Sequence, residues 1–338
     1  MAKINKLLLI VFLLTGFAVQ AQDIHFSQFM SAPLALNPAQ TGNYACDWRA
    51  GLNYRNQWSS IPAPYVTYSA FFDAPVVTGI RGSDNLAAGI LLYNDVSGDG
   101  NLSNLSVLAS VAYHMALGSP NHYLSAGVQA GLMQKSLDWN NLVFANQFDG
   151  VDFNSGLPNF EPYAGDNFNN LDLNFGLMYK GKFSQDVSLE AGVAANHLLT
   201  PNESFLLEST NELGMRVTGH TRVIVALTNN LSILPAVLYQ SQSGASELIV
   251  GGDIGYFLRN PNFPATIYMG AYLRNGDAVI PSLAIDYNNF RLGITYDVNT
   301  SNLDVATNGQ GGIELSLVYT GCILPVVPEN YVLPCPRY

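Results

Sequence analysis

The sequence predicts an all-β fold, a transmembrane up-and-down antiparallel β-barrel of about fourteen strands with both termini in the periplasm. Three observations lead to this prediction: a secretion signal opens the chain, apolar and polar residues alternate in segment after segment, and these segments are long enough to cross a bilayer. The stretch 47–58 shows the alternation well. Its apolar positions are Trp48, Ala50, Leu52, Tyr54 and Trp58, and its polar ones are Asp47, Arg49, Asn53, Arg55 and Gln57. In a secreted chain with almost no helical pattern, this favours a barrel with an apolar exterior and a polar interior.

The first 21 residues have the features of a secretory signal peptide. Lys3 and Lys6 precede the apolar run Leu7–Phe17, and Val19-Gln20-Ala21 forms a cleavage site of the small-residue type. The run is too short and wrongly flanked for a membrane span. We therefore expect an exported protein that begins at Gln22.

Composition excludes two classes of protein. The chain has 14 Lys+Arg against 25 Asp+Glu, a formal net charge of −11, which leaves little to neutralise phosphates and excludes a nucleic-acid partner. Apolar residues make up 48% of the chain, yet no apolar run of 18 residues follows the signal peptide, so helical membrane spans are excluded. The same composition suits a barrel or a secreted β-sandwich, and strand length decides between them.

Most of the alternating segments span about 9–12 residues, enough for a tilted strand to cross a bilayer, whereas strands of soluble proteins average nearer five or six. Their even number is what a single-chain bacterial outer-membrane barrel requires. In order, the segments are 47–58, 65–73, 86–93, 104–115, 123–133, 170–180, 187–196, 215–227, 231–240, 247–257, 265–274, 279–287, 290–298 and 312–320. We predict a signal peptide at 1–21, a periplasmic or lumen-inserted segment at 22–46, the barrel at 47–320 and a periplasmic tail at 321–338.

Short and long connections alternate along the chain, as periplasmic turns and external loops do in such barrels. The longest, 134–169, is too long for an idle turn. It contains five aromatic residues that are candidates for binding cargo or another partner: Phe144, Phe148, Phe153, Phe160 and Tyr163. Two interpretations stay open for this loop, a plug in the lumen and an exposed partner surface.

The segment 23–44 precedes the first strand and is expected at the periplasmic end of the barrel. Its apolar side chains need burial, either in the lumen or against a periplasmic partner. These are Phe26, Phe29, Met30, Leu34 and Leu36. We favour insertion into the barrel mouth.

No catalytic constellation stands out. The histidines at 25, 114, 122, 197 and 220 have no metal-ligand spacing, and His220 lacks an obvious nucleophile to serve. We therefore predict no enzyme, no catalytic residues, no cofactor and no metal site.

Three cysteines, Cys46, Cys322 and Cys335, are expected to face an oxidising compartment, where pairing is favoured. The pair Cys322–Cys335, which closes a small loop in the tail, ranks first. Cys46 abuts the first strand and Cys322 the last, and these strands are neighbours in a closed barrel. A bridge between Cys46 and Cys322 is therefore the competing prediction.

Several short motifs occur in a fixed order along the chain. The first-strand motif is Tyr54, Arg55, Asn56, Gln57 and Trp58. The others are Gln22-Asp23, Ser27-Gln28-Phe29-Met30, Asn37-Pro38-Ala39, Asn94-Asp95 with Gly98, Tyr113-His114, Tyr296-Asp297-Val298 and Cys335-Pro336-Arg337-Tyr338. Together and in this order, they resemble the PorP/SprF family of outer-membrane proteins associated with type IX secretion, although Gln40-Thr41-Gly42 departs slightly from the family's aromatic-Ala-Gly continuation. The resemblance spans essentially the whole mature chain.

The resemblance implies a function that composition and spacing do not. It implies a barrel in the outer membrane of a Gram-negative bacterium that supports secretion and surface attachment of adhesin-like cargo with a C-terminal sorting domain, and it links the chain to gliding motility. Implied partners are type IX translocon components, a peptidoglycan-binding periplasmic protein and the lipid bilayer itself. The alternative function is a general solute channel, which requires an open lumen.

Overall fold

The computed structural model describes residues 23–323 apart from 120, 155, 164, 208, 209, 261, 262 and 302–306. The predicted signal peptide and most of the predicted tail, with Cys335, lie outside the described residues. Within them, the helices are single turns: Phe29–Ser31, Pro33–Leu36, Pro38–Gln40, Trp139–Asn141 and Ala145–Gln147. No helix of this described part is long and apolar enough to span a membrane.

Fourteen antiparallel strands close into a barrel in which each strand pairs with its neighbours in the chain and the first pairs with the last. This confirms the predicted fold class and strand number. The strands are β1 Trp48–Gln57, β2 Tyr65–Thr78, β3 Asn85–Ser97, β4 Leu102–Ala116, β5 His122–Ser136, β6 Asn167–Lys182, β7 Val187–Asn196, β8 Arg216–Ala226, β9 Leu231–Gln242, β10 Ala245–Asn260, β11 Phe263–Arg274, β12 Ala278–Tyr287, β13 Phe290–Asn299 and β14 Gln310–Gly321. Closure gives β1 and β14 a paired neighbour on both sides, so no open sheet edge meets the lipid.

The two faces of the wall have opposite polarity. Along β6, the side chain of Leu171 points outward and is 65% exposed, whereas that of its neighbour Asp172 points inward and is 2% exposed. Leu132 and Met269 are likewise exposed on the outside, and Glu314 is buried inside. An apolar exterior around a polar interior is the arrangement of a membrane-spanning barrel.

The connections make the two ends of the barrel different. At the end where β1 begins and β14 finishes, the six connections have at most six residues each, and we call this the short-turn end. The opposite end carries the connections 58–64, 137–166, 197–215 and 300–309 among its seven, and we call it the long-loop end.

A disulfide joins Cys46 to Cys322 across the junction of β1 and β14, with a Cα–Cα distance of 4.7 Å. The first-ranked pairing of Cys322 with Cys335 is therefore wrong, and the competing bridge is present. The physical reason is the register of closure, which pairs Trp48 with Gly321 and so brings the two adjoining cysteines together.

Candidate functional site: a plugged lumen and a loop lobe

Residues 23–44, which we call the plug, run through the lumen from one end to the other. At the long-loop end, the backbone N–H of Asp23 donates to the side chain of Gln242, the last residue of β9, at 3.0 Å. At the short-turn end, the hydroxyl of Tyr44 donates to the carbonyl of Asp73 at 2.5 Å. The plug thus reaches deeper into the barrel than the mouth in which the sequence predicted it. Its first residue, Asp23, lies at the long-loop end.

The apolar side chains of the plug pack against apolar patches on the inner wall. Phe29 and Leu36 form one buried cluster, with Ala236, Leu238 and Ile249 of the wall. Leu34 forms a second, with Phe71, Leu91, Tyr93 and Leu108. Burial of each large side chain contributes about 1.5–3 kcal/mol, so these contacts hold the plug in place along most of its length.

A buried network of charges ties the plug to four strands. The Arg55 guanidinium on β1 donates to the Ser27 hydroxyl of the plug at 2.6 Å, and pairs with Asp297 at 2.9 Å and Glu314 at 3.1 Å. The backbone N–H of Ser27 donates to Glu314 at 2.8 Å. Arg274 on β11 also pairs with Asp297, at 2.8 Å, and donates to the Ser27 hydroxyl at 2.7 Å. Because buried charges are stable only when paired, the position of Ser27 is fixed by the network around it.

A second cluster anchors the start of the plug. The carboxylate of Asp23 lies 2.8 Å from both His197 and Arg216, and His197 lies 3.0 Å from Asp172. Burial alone lowers the pKa of His197, but the two carboxylates outweigh it and raise the pKa to about 9. Burial raises the pKa of Asp23, yet Arg216 and His197 outweigh burial and hold it well below its ordinary value.

These shifts predict that the plug is seated most stably near pH 6.5. Release of the plug takes Asp23 away from His197 but leaves Asp172 beside it, so the stabilisation from the Asp23–His197 pair is lost as the pH rises through about 9, the pKa of His197 in the seated state. Burial lowers the pKa of His25 to about 4, so a released plug takes up a proton that the seated plug excludes, and seating weakens as the pH falls from 6.5 toward 4. The frequency of brief openings in a planar bilayer should therefore be lowest near pH 6.5.

Two variants separate the rise in opening frequency at alkaline pH from the rise at acid pH. His197→Gln should remove the alkaline rise and leave the acid one, and His25→Asn should weaken the acid rise and leave the alkaline one. His122→Gln, which alters a histidine at the short-turn end, is the matched control. A flat opening frequency from pH 4 to pH 10 in the unaltered protein would contradict the assignment.

Asn37 interlocks the middle of the plug with the wall. Its side-chain amide donates to the carbonyls of Leu177 and Val193, at 3.1 and 3.2 Å. The wall opposite is made of Gly176 and Gly192, where any added Cβ would collide with the Asn37 side chain. The two glycines therefore provide the space in which Asn37 sits.

The residues that carry the family resemblance meet at the boundary between plug and wall. Ser27 and Asn37 lie on the plug, Arg55 and Asp297 on the wall, and the Nε2 of His114 lies 2.7 Å from the carbonyl of Thr41. The first-strand motif is divided between the two faces of β1. Its aromatic residues pack against β2: the ring of Tyr54 is tilted against that of Tyr68, and Trp58, just past the end of β1, meets Tyr65 edge-on. Asn56 and Gln57 are half-buried.

Outside the lumen, the two longest loops form one ordered unit, residues 137–166 with 197–213, which we call the loop lobe. Trp139 stacks on Tyr163 with ring centroids 4.5 Å apart, and Phe205 of the second loop meets Trp139 edge-on at 6.2 Å. The N–H of Leu207 donates to the carbonyl of Pro162 at 3.1 Å. These contacts join loops that belong to different hairpins.

The predicted aromatic residues all lie in the loop lobe. Phe144 and Tyr163 contact Trp139, whereas Phe148 and Phe153 pack on each other and are exposed, as is Phe160, at 77%. Of the two interpretations of this loop, the structure has the exposed surface, and residues 23–44 plug the lumen. The second loop was not among the predicted partner surfaces, although its apolar run Phe205-Leu206-Leu207 stands out in a polar segment.

The described residues show no candidate metal site. They contain no group of three or more His, Cys, Asp or Glu side chains that could hold a metal ion. His220, the one histidine considered as a catalytic base, has its Nε2 3.1 Å from the Asn37 amide of the plug. This histidine therefore faces the plug.

A closed barrel with an apolar exterior and a polar, charged interior defines a membrane protein of the outer-membrane β-barrel type. The chain belongs to the PorP/SprF family of type IX secretion system membrane proteins, whose family model matches residues 18–319. The resemblance drawn from the motifs is confirmed.

Solved structures with a similar fold include the toluene transporter TbuX of Ralstonia pickettii, at 12% identity and a TM-score of 0.48, with 86% of this chain and 93% of that chain covered. A FadL homologue of Pseudomonas aeruginosa matches at 11% identity and 0.48, with coverages of 85% and 94%. The toluene transporter TodX of P. putida matches at 10% and 0.45, with coverages of 86% and 94%. No curated protein sequence matches the chain. Likenesses this low do not bear on function.

Proposed function

We propose that this protein is a non-enzymatic outer-membrane barrel of the type IX secretion system that supports secretion and surface attachment of cargo bearing a C-terminal sorting domain. The observation that carries the proposal is the plug, whose contacts run from Asp23 at one end of the lumen to Tyr44 at the other. A chain segment that runs the length of the lumen narrows the path open to solutes, which argues against a general channel. The loop lobe instead offers an exposed surface for a protein partner.

In this proposal, the long-loop end faces the cell exterior and the short-turn end faces the periplasm, as in known barrels. Secreted cargo then meets the loop lobe, with Phe148, Phe153 and Phe160 as contact residues. Translocon components and a peptidoglycan-binding protein meet the protein from the periplasmic side, at the predicted tail 321–338.

Surface proteomics of a deletion strain tests the role. Cargo with a sorting domain should leave the cell surface when the gene is deleted and return when it is restored. Restoration with Phe153→Ser and Phe160→Ser should leave surface cargo reduced about thirtyfold, since aromatic anchors at the centre of an interface each contribute about 1 kcal/mol or more and about 1.4 kcal/mol is a factor of ten.

The matched control makes the same change at the opposite end, Ile80→Ser with Phe183→Ser, two exposed apolar residues of the short-turn end. This variant should retain normal surface cargo. Unchanged surface cargo in the deletion strain would overturn the proposed role altogether.

A further inference from the structure

The connections at the long-loop end carry eleven acidic residues and not one Lys or Arg. The acidic residues are Asp99, Asp138, Asp149, Asp152, Glu161, Asp166, Glu203, Glu208, Glu212, Asp277 and Asp304. The connections at the short-turn end, by contrast, carry Arg81, Asp84 and Asp186 only and are close to neutral. The excess negative charge of the protein is therefore concentrated at one end.

The basic side chains nearest the long-loop end do not neutralise it. Arg55, Arg216 and Arg274 point into the lumen, where each is paired with a buried carboxylate. Lys135 pairs with Glu203 at the base of the loop lobe. The outward surface of this end thus keeps its negative charge.

Exposed apolar side chains are interleaved with these acids. Phe153 follows Asp152 directly and is 60% exposed, and Phe160 precedes Glu161. Leu207, on the second loop, is 68% exposed. Large apolar side chains displayed on an ordered surface outside the lipid-facing wall indicate a protein partner.

We infer that the loop lobe docks a protein segment that is basic around an apolar centre. This inference rests on the proposed function and adds the chemistry of the partner. A surface with carboxylates around aromatic residues and no Lys or Arg of its own attracts a positively charged partner and repels an acidic one. Anionic lipid headgroups are repelled for the same reason.

Site-specific photo-crosslinking in native outer membranes tests the inference. A benzophenone amino acid replaces Phe153 or Phe160 in the full-length protein, and Phe183 at the short-turn end serves as the control position. We expect both lobe positions to crosslink to the same partner, in a segment with more Lys and Arg than Asp and Glu. A crosslinked segment that is neutral or acidic, a crosslink to lipid alone, or no crosslink from either lobe position would overturn the inference.

A charge variant tests the same point without the aromatic residues. Asp152→Asn, Asp166→Asn and Glu212→Gln together remove three exposed carboxylates that make no hydrogen bond or ion pair with the described residues. The crosslinking yield at Phe160 should fall about threefold or more, and raising the salt from about 0.1 to 0.5 M should lower the wild-type yield similarly because exposed charges are screened. Asp186→Asn at the short-turn end is the matched control. An unchanged yield in the triple variant would overturn the inference.

The failures of the two proposals are distinguishable. A basic crosslinked segment, found together with unchanged surface cargo in the deletion strain, would keep the inference about the lobe and overturn the proposed function. Cargo captured through a neutral or acidic segment would do the reverse.

Discussion

Removing the plug should convert a silent barrel into an open channel. Deletion of residues 24–41 takes out every plug residue that packs into the two buried clusters but keeps Gln22, Asp23 and the chain that enters β1. The wall should persist, because its backbone hydrogen bonds run between strands around the closed ring. A barrel of about fourteen strands without a filler leaves an aqueous hole.

The charges that the plug now covers favour this outcome. Arg55, Arg274, Asp297 and Glu314 line the inner wall and would be hydrated in an empty lumen. The variant is therefore expected to give stepwise conductance in planar bilayers, where the unaltered protein gives at most brief openings.

A loop deletion of equal length is the matched control. Removing residues 144–161 shortens the loop lobe by the same eighteen residues and leaves the plug untouched, so this variant should stay silent. Heat-modifiable migration in gels verifies that both variants are folded. Sustained conductance from the unaltered protein would show that the plug does not close the lumen. It would support the alternative function, a general solute channel.

The barrel itself was predictable because a period of two, repeated over membrane-spanning lengths, leaves few other folds. The boundaries were less so. β6 was expected at 170–180 and runs over Asn167–Lys182, and the extra residues Asn167, Phe168 and Asn169 do not follow the alternation. Residues at the ends of strands, beyond the apolar layer of the membrane, do not have to present an apolar side to lipid. Their sequence therefore need not alternate and does not show where the strand ends.

The path of the plug was not predictable. The apolar residues Phe29 and Leu36 require burial, but they do not set the direction in which the chain runs. Direction comes from contacts far apart in sequence, such as Asp23 with His197 and Arg216. The stacking of Trp139 on Tyr163 against Phe205 likewise joins loops whose proximity depends on the closed barrel.

Arg55 is the residue whose loss should cost the most stability, because it is the cation shared by two buried carboxylates and a plug hydroxyl. Arg55→Met removes the partner of Glu314 and one of the two partners of Asp297. Breaking a buried ion pair by removing one side costs about 3–5 kcal/mol, so the free energy of unfolding in detergent should fall by about this amount. Urea titration followed by heat-modifiable migration measures it.

Two further variants determine whether the cost comes from the unpaired charge. Arg259→Met makes the same change at an exposed position of β10 and should alter stability by less than about 0.5 kcal/mol. Adding Glu314→Gln to Arg55→Met removes a carboxylate left without its cation and should recover about half of the loss, since the uncompensated charge is the expensive element. If the double variant is no more stable than Arg55→Met, the network holds the plug through the shape and hydrogen bonds of Arg55 rather than through its charge.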